Sequence, residues 1–419
     1  MAKILSLKFK NRWALIIILL LAVFTRFWNL NYPSRYIFDE VYHAFTATAY
    51  AQNDPAGYEW WHQSPVKGTA YEWLHPPLSK LFMALGILIF GDNSLGWRFF
   101  SAVFGVIAIY LLYLVGKKMF SEKVGLTAAF LGCLDGLFLV QSRIAMNDIF
   151  LVVFVLATIY FLNLWLEKSL PKYSILTGFF TGLSVATKWP GVFLIPILGL
   201  AIIYQFRQQK SHFNWLKRNF WIFLGSFLLI PIVYVFSYGQ FWLQGHTFKQ
   251  FIELHQQIWN YQTTLKATHD YGSPAWQWPL LVRPVWYFVD YQSGKTGNIY
   301  ALGNPIIWWG GLIAMVFVFY QAVVKRSVNH GLLIIGYLIF WLPWLFSPRV
   351  MFLYHYLPSL SFLLLGLAWF CWHKIRNKSE VFIFILLCIG SFLILYPRWT
   401  GIAITDTYGQ LFLWLPSWK

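Results

Sequence analysis

The stretch WALIIILLLAVFTRFWNL (Trp13–Leu30) is followed, after a short polar link, by FDEVYH (Phe38–His43). The first string is close to the ~20 apolar residues that cross a bilayer core. If it spans, the adjacent carboxylates Asp39 and Glu40 emerge at the membrane surface. Lys3, Lys8, Lys10 and Arg12 precede the apolar run, and no small-residue cleavage motif follows it. The segment is therefore expected to be an uncleaved anchor with its N-terminus in the cytoplasm.

The rest of the chain repeats this pattern. Of 419 residues, 58% are apolar and only 11% are charged, whereas soluble domains carry about 25% charged residues. The apolar residues fall in long runs, so the class is polytopic membrane protein. The net charge of +17 would suggest nucleic acid only if topology were ignored, because the cations cluster in short loops between apolar runs. Nucleic acid is excluded as a partner on that ground, and the bilayer is the expected surroundings. Cys133, Cys371 and Cys388 all lie in apolar segments and outline neither a disulfide framework nor a metal site.

Eleven spans are expected, near 13–30, 97–116, 124–141, 147–166, 174–189, 191–206, 218–237, 305–324, 331–346, 350–371 and 380–396. This places more than half of the 32 basic residues on the inner side, but only Glu122, Glu167 and Glu380 of the 15 acidic ones. Two large outer loops result, 31–96 and 238–304. Each is too short for a separate domain, so 1–419 reads as one integral membrane unit with both loops packed on top. Leu78–Phe90 is apolar but short, and is expected to be an interfacial or re-entrant helix within the first loop.

Charged groups beside spans are costly and are functional candidates by default. Asp39 and Glu40 could supply a general base; equally, Asp39 could cap a helix starting near Val41. In the string Leu74-His75-Pro76-Pro77-Leu78-Ser79-Lys80 the prolines hold His75 out of helical geometry and put Lys80 one turn into the next helix. A plain helix start with a snorkelling lysine is the competing reading. Glu72 is a candidate neighbour of His75, with too few further ligands for a metal site. Arg98 stands just inside the outer end of a span, where arginine can grip a phosphate. Arg143 and Asp148 flank an outer turn as an ion pair, as substrate contacts, or as both. Asp135 lies within a span and is expected to face the bundle interior. Lys188 precedes Pro190-Gly191 at an outer rim, and Arg349 precedes the string Met351-Phe352-Leu353-Tyr354-His355-Tyr356. By this topology Arg98, Arg143, Lys188 and Arg349 collect at one level of one membrane face, near Asp39-Glu40. An anion at headgroup depth, such as a lipid phosphate, suits that level; ordinary binding of anionic headgroups is the rival reading. No P-loop or dinucleotide fingerprint occurs at a suitable place.

These strings, in this order, resemble the protein O-mannosyltransferases, the dolichyl- or polyprenyl-phosphate-mannose-dependent family of GT-C glycosyltransferases. The matching elements are Phe38-Asp39-Glu40-Val41, His75-Pro76-Pro77-Leu78-Ser79-Lys80, Trp97-Arg98, Gln141-Ser142-Arg143 to Asp148, Thr187-Lys188-Trp189 and Arg349 to Tyr356. The resemblance implies an all-α polytopic bundle that moves a sugar, mannose above all, from a polyprenyl phosphate to a protein Ser or Thr hydroxyl with inversion. The lipid-linked sugar is then a substrate, and no further cofactor or metal is implied. Carried over, Asp39 is the general base and Glu40 positions donor or acceptor. Arg98, helped by Lys188 or Arg349, neutralises the phosphate. His75, Lys80, Arg143, Asp148 and His355 complete the substrate-binding set. The site faces the outside of a multi-pass protein in the cell membrane.

Two departures stand out. The 238–304 loop is too short for the soluble sugar-binding-like domain of eukaryotic members, which points to a compact bacterial type. Trp73 stands where many relatives have an acidic residue, with Glu72 offset by one, which opens the question of the acceptor. A GT-C transferase acting on a lipid or glycan, as aminoarabinose transferases do, is the alternative. A non-catalytic transporter is disfavoured because no internal repeat is visible.

Overall fold

The computed structural model describes residues 2–418, with side chains from Asn11 onward. The side chains of Lys3, Lys8 and Lys10 thus lie outside the described residues. The first apolar run forms α1 (Ala2–Phe27). The first large loop, 31–96, then holds α2 (Glu40–Ala51) and α3 (Leu78–Phe90). Pro77 stands at the N-cap of α3, and Gly91, at φ +87°, ends it. A β-carbon at Gly86 would collide with the Gly96 carbonyl, so α3 packs backbone to backbone on α4 (Ser94–Met119).

The run expected at 124–141 is not one continuous helix. It divides into α5 (Glu122–Cys133) and α6 (Gly136–Gln141). Asp135 causes the break: its side chain turns inward, fully buried, and caps Phe138 N at 3.0 Å. It also accepts from Asn304 N at 3.1 Å and Trp308 Nε1 at 2.7 Å, which repays its burial. The chain continues through α7 (Asp148–Lys168), α8 (Pro171–Thr187), α9 (Leu194–Arg207) and α10 (His212–Ser237). The second large loop, 238–304, carries α11 (Gly239–Leu243) and α12 (Phe248–Thr264). After it come α13 (Pro305–Val323), α14 (Val328–Ile339), α15 (Leu357–His373) and α16 (Lys378–Thr400), and α17 (Asp406–Gln410) lies near the C-terminus.

Eight helical segments among the described residues are long and apolar enough to cross a membrane. The other three expected segments correspond to α1, to the broken α5–α6 pair and to the 17-residue α8. Protein surrounds the span Leu353–His373 over 94% of its apolar window, and α7 over 83%, against 22% for α10 and for α16. The first two therefore form the centre, which is why α7 is apolar on every side; the last two face lipid.

One feature departs from an all-α reading. The second large loop contains an antiparallel hairpin, β1 (Val285–Gln292) and β2 (Lys295–Ala301), extended by β3 (Ile404–Thr405). Gln292 faces Lys295 across a two-residue turn with Gly294 at φ +67°. That geometry is a standard hairpin turn, and the flanking residues are aromatic and β-branched. Side-chain bonds join the two large loops: Gln240 Nε2 donates to Tyr50 O at 2.8 Å, Tyr58 Oη donates to Gln240 Oε1 at 3.2 Å, and His246 Nε2 lies 2.9 Å from Glu59.

Candidate active site

Asp39 and Glu40 are neighbours in sequence but face different surroundings. Glu40 is fully buried. Its carboxylate accepts Arg98 Nε and Nη2, both at 2.7 Å, and the backbone amides of Ile37 and Ala145, both at 3.0 Å. Arg98 spends its other contacts on the carbonyls of Leu30, Pro33 and Arg35. The pair thus clamps the first large loop to α4 and to the turn before α7. The geometry corrects two expectations: Arg98 is not directed at an open phosphate site, and Glu40 has no acceptor capacity left for substrate.

Asp39 occupies the N-cap position of α2 but makes no side-chain capping bond. Its carboxylate is half-buried and receives one long hydrogen bond, from Tyr354 Oη at 3.4 Å. Burial pushes its pKa above the ordinary carboxylate value, and the charges of His43 and Lys188 offset this in part. The preceding Phe38 holds φ at +47°, a left-handed conformation rare for an aromatic residue. Tyr287 of β1 stacks on the Phe38 ring at 4.2 Å, with Phe352 and Tyr354 edge-on. The hairpin thereby fixes the backbone that presents Asp39. Tyr287 Oη accepts Gln141 Nε2 at 2.8 Å, and burial, then Asp148 and Asp39, raise its phenol well above the usual range.

Beside Asp39, Glu72 gathers three cation-forming groups. Lys80 Nζ donates to its Oε2 at 2.5 Å and to the His75 carbonyl at 2.9 Å. His75 Nδ1 lies 3.1 Å from Oε1, and His43 Nδ1 lies 3.5 Å from Oε2. Burial alone would raise the Glu72 carboxyl; Lys80 and His75 outweigh it and hold the group well below the carboxylate range. Burial drives the His75 imidazole down to about 4, against the pull of Glu72. Lys80 is therefore a completely buried partner of Glu72 rather than a snorkelling side chain.

Lys188 sits at the end of α8, where the 3-10 turn Trp189–Phe193 begins. It donates to Asp148 Oδ1 at 2.9 Å and covers the Tyr354 ring at 5.6 Å. Asp148 therefore pairs with Lys188, not with Arg143. The Arg143 guanidinium instead binds the carbonyls of Thr25, Arg26, Trp28 and Asn29 at the C-terminal end of α1, where unpaired carbonyls favour a cation. Of the four cations expected together, two tie helices and two, Lys188 and Arg349, line a cavity of about 320 Å³. His75, His355, Trp189, Trp259 and Trp344 complete much of its wall. Asp39 stands behind that wall, joined to it by Tyr354. The Arg349 Nε is buried without a hydrogen-bond partner. Among the described residues, no three His, Cys, Asp or Glu side chains are placed to hold a metal ion.

A cavity with cations, an aromatic wall and a carboxylate free of ion pairing suits transfer from a phosphorylated lipid, and comparison with known proteins identifies the family. Residues 74–238 match the model described as dolichyl-phosphate-mannose-protein mannosyltransferase, and 247–418 match the C-terminal four TMM region of protein-O-mannosyltransferase. The chain belongs to the protein O-mannosyltransferase family. The polyprenol-phosphate-mannose–protein mannosyltransferase of Mycolicibacterium smegmatis is 28% identical, over 97% of this chain and 93% of the relative. Its Mycobacterium tuberculosis counterpart is 27% identical, over 96% and 91%. Among solved structures, the Saccharomyces cerevisiae Pmt1–Pmt2 complex bound to the sugar donor superimposes with a TM-score of 0.81 at 16% identity, over 98% of this chain and 93% of that one. ArnT from Cupriavidus metallidurans gives 0.63 at 12% identity, over 93% and 65%. The fold is therefore of GT-C type, and the protein is a multi-pass membrane mannosyltransferase.

Sequence reasoning named Asp39, His75, Lys80, Lys188, Arg349 and His355, all of which converge here. It missed His43, Tyr287, Trp259 and Trp344. His43 lies one helical turn from Asp39 in the quoted string, so its spacing was a usable signal. Tyr287 had none, because only the hairpin brings it to Phe38.

Proposed function

We propose that the protein transfers mannose from a polyprenyl phosphate to a Ser or Thr hydroxyl of an acceptor protein, with inversion, at the outer face of the cell membrane. The N-terminus then lies in the cytoplasm. Asp39 accepts the hydroxyl proton as the oxygen attacks the anomeric carbon, while the bond from that carbon to the phosphate oxygen breaks. Lys188 and Arg349 face the departing phosphate and offset its growing charge, an effect commonly worth about 3 kcal/mol of barrier for one well-placed donor. Glu72, held by Lys80, fixes His75 and His43 around the acceptor side. Lys188 also pairs with Asp148 beside the reaction centre.

The observation that carries this reading is the contrast within the acidic pair. Glu40 is saturated by Arg98 and two amides, whereas Asp39 keeps a carboxylate free of ion pairing and of raised proton affinity, within reach of the Lys188 charge. A base must bind its proton readily and release it again, and Asp39 has that latitude. The acceptor is assigned as protein because the near full-length relatives carry that name. The test is incubation of the purified chain with polyprenyl-phosphate mannose and Ser/Thr-rich peptides, read by mass spectrometry. Asp39→Asn should lower the rate by roughly 10²–10⁴-fold, the usual contribution of a general base. Transfer at the wild-type rate by a folded Asp39→Asn protein would exclude Asp39 as the base.

A further inference from the structure

The reverse side of the hairpin holds a second cavity, of about 260 Å³, that the reaction does not use. Its wall includes Trp286, Thr296, Asn298, Arg398, Asp406 and Gln410. Neighbouring residues of β1 thus serve two places: Tyr287 faces Phe38 and Gln141, and Trp286 faces the cleft. Trp286 is held rigidly, with its Nε1 donating to Asn298 Oδ1 at 2.8 Å and its ring stacked on Tyr300. Arg398 reaches in from the end of α16. Its Nη2 donates to the Gly409 carbonyl at 2.7 Å, and its buried Nε has no partner. Asp406 accepts Thr296 Oγ1 at 2.8 Å through one oxygen. Arg398 and Asp406 share the cavity without meeting as an ion pair, so a cation and an anion are held apart across one small space.

That arrangement selects a class of ligand. Asp406 repels a phosphate or carboxylate, and Arg398 repels an ammonium group. A neutral molecule rich in hydroxyls satisfies both, since each hydroxyl donates to a carboxylate and accepts from a guanidinium. The indole adds a flat apolar wall suited to the C–H face of a sugar ring. We infer that this cleft is an accessory carbohydrate site that binds a mannosyl unit already attached to the acceptor. It rests on the proposed function for the identity of the sugar. Its role is to hold a partly modified acceptor close to the hairpin that frames Asp39, so that a further hydroxyl of the same segment is used next.

Two measurements on the purified full-length protein test it. The first is binding of methyl α-mannoside by saturation-transfer NMR, which needs no turnover. Wild type and Lys188→Ala should bind alike, and Asp406→Asn should bind about tenfold more weakly, the effect of losing a charged hydrogen-bond acceptor. Loss in Lys188→Ala with retention in Asp406→Asn would place the sugar in the catalytic cavity and overturn the inference. The second compares a Ser/Thr peptide with the same peptide carrying one mannose. Asp406→Asn and Gln410→Ala should raise KM for the mannosylated peptide alone. An equal rise for both peptides would make the cleft a peptide site, and no rise for either would remove its role. If wild type modifies neither peptide yet binds the mannoside through Asp406, the proposed function fails and the accessory site stands.

Discussion

Replacing Glu40 separates a structural carboxylate from a catalytic one. Glu40 is fully buried, and Arg98 is 1% exposed. Truncation to Ala strands a buried guanidinium, which costs about 3–5 kcal/mol. It also orphans the amides of Ile37 and Ala145, each worth about 1–3 kcal/mol. These losses overlap, because one carboxylate serves all four donors, so the total is on the order of 5 kcal/mol. That is comparable with the whole stability of many domains, and Glu40→Ala is expected to accumulate poorly. Glu40→Gln keeps one acceptor oxygen and is the usable variant. Its thermal midpoint in detergent, followed by tryptophan fluorescence, should fall by several degrees. The double variant Glu40→Gln/Arg98→Met removes both charges and should recover part of the loss, with a coupling of about 1–3 kcal/mol. Mannose transfer, assayed well below every midpoint, should persist in both. A Glu40→Gln protein with a wild-type midpoint and no transfer would refute this reasoning and return Glu40 to the reaction.

Four further outcomes follow from the same geometry. Asp39 must be ionised to act, and burial raises its pKa, so the acid limb of kcat/KM should lie above the pH of an ordinary aspartate; Tyr354→Phe removes a hydrogen bond that favours the ionised form and should move the limb higher, and an unmoved limb would break the link. His75 titrates at about 4 in the fold against 6.5 when free; between those values the unfolded chain holds the extra proton, so this group lowers stability as pH falls from about 6.5 to about 4. His75→Gln should flatten the midpoint-versus-pH slope in that window, and an identical slope would contradict the shift. Arg349→Ala should raise KM for the lipid-linked donor about tenfold, the worth of one charge-assisted hydrogen bond, with peptide KM unchanged; an unaltered donor KM would remove Arg349 from the phosphate site. Asp135→Ala should destabilise the α5–α6 break by about 3 kcal/mol, since three buried donors lose their acceptor, and a wild-type midpoint would show the break is held otherwise.

Much of this protein is written locally. Apolar runs of bilayer length, cations between them and the Pro76-Pro77 helix start are short-range properties, and they determined the membrane class, most helix positions and the 78–90 helix. The strings around Asp39, His75 and Lys188 determined the family, because each needs only neighbouring residues to be read. The hairpin at 285–301 was legible in principle, because aromatic and β-branched residues flank the turn at Gly294. Partner choice was not local at all. That Glu40 rather than Asp39 meets Arg98, that Asp148 takes Lys188 and leaves Arg143 to the end of α1, and that Glu72 gathers His43, His75 and Lys80 depend on groups up to 118 residues apart. A buried charge must be neutralised by whatever group the packing delivers. Tertiary structure alone therefore decided which of two adjacent carboxylates stays free to carry a proton.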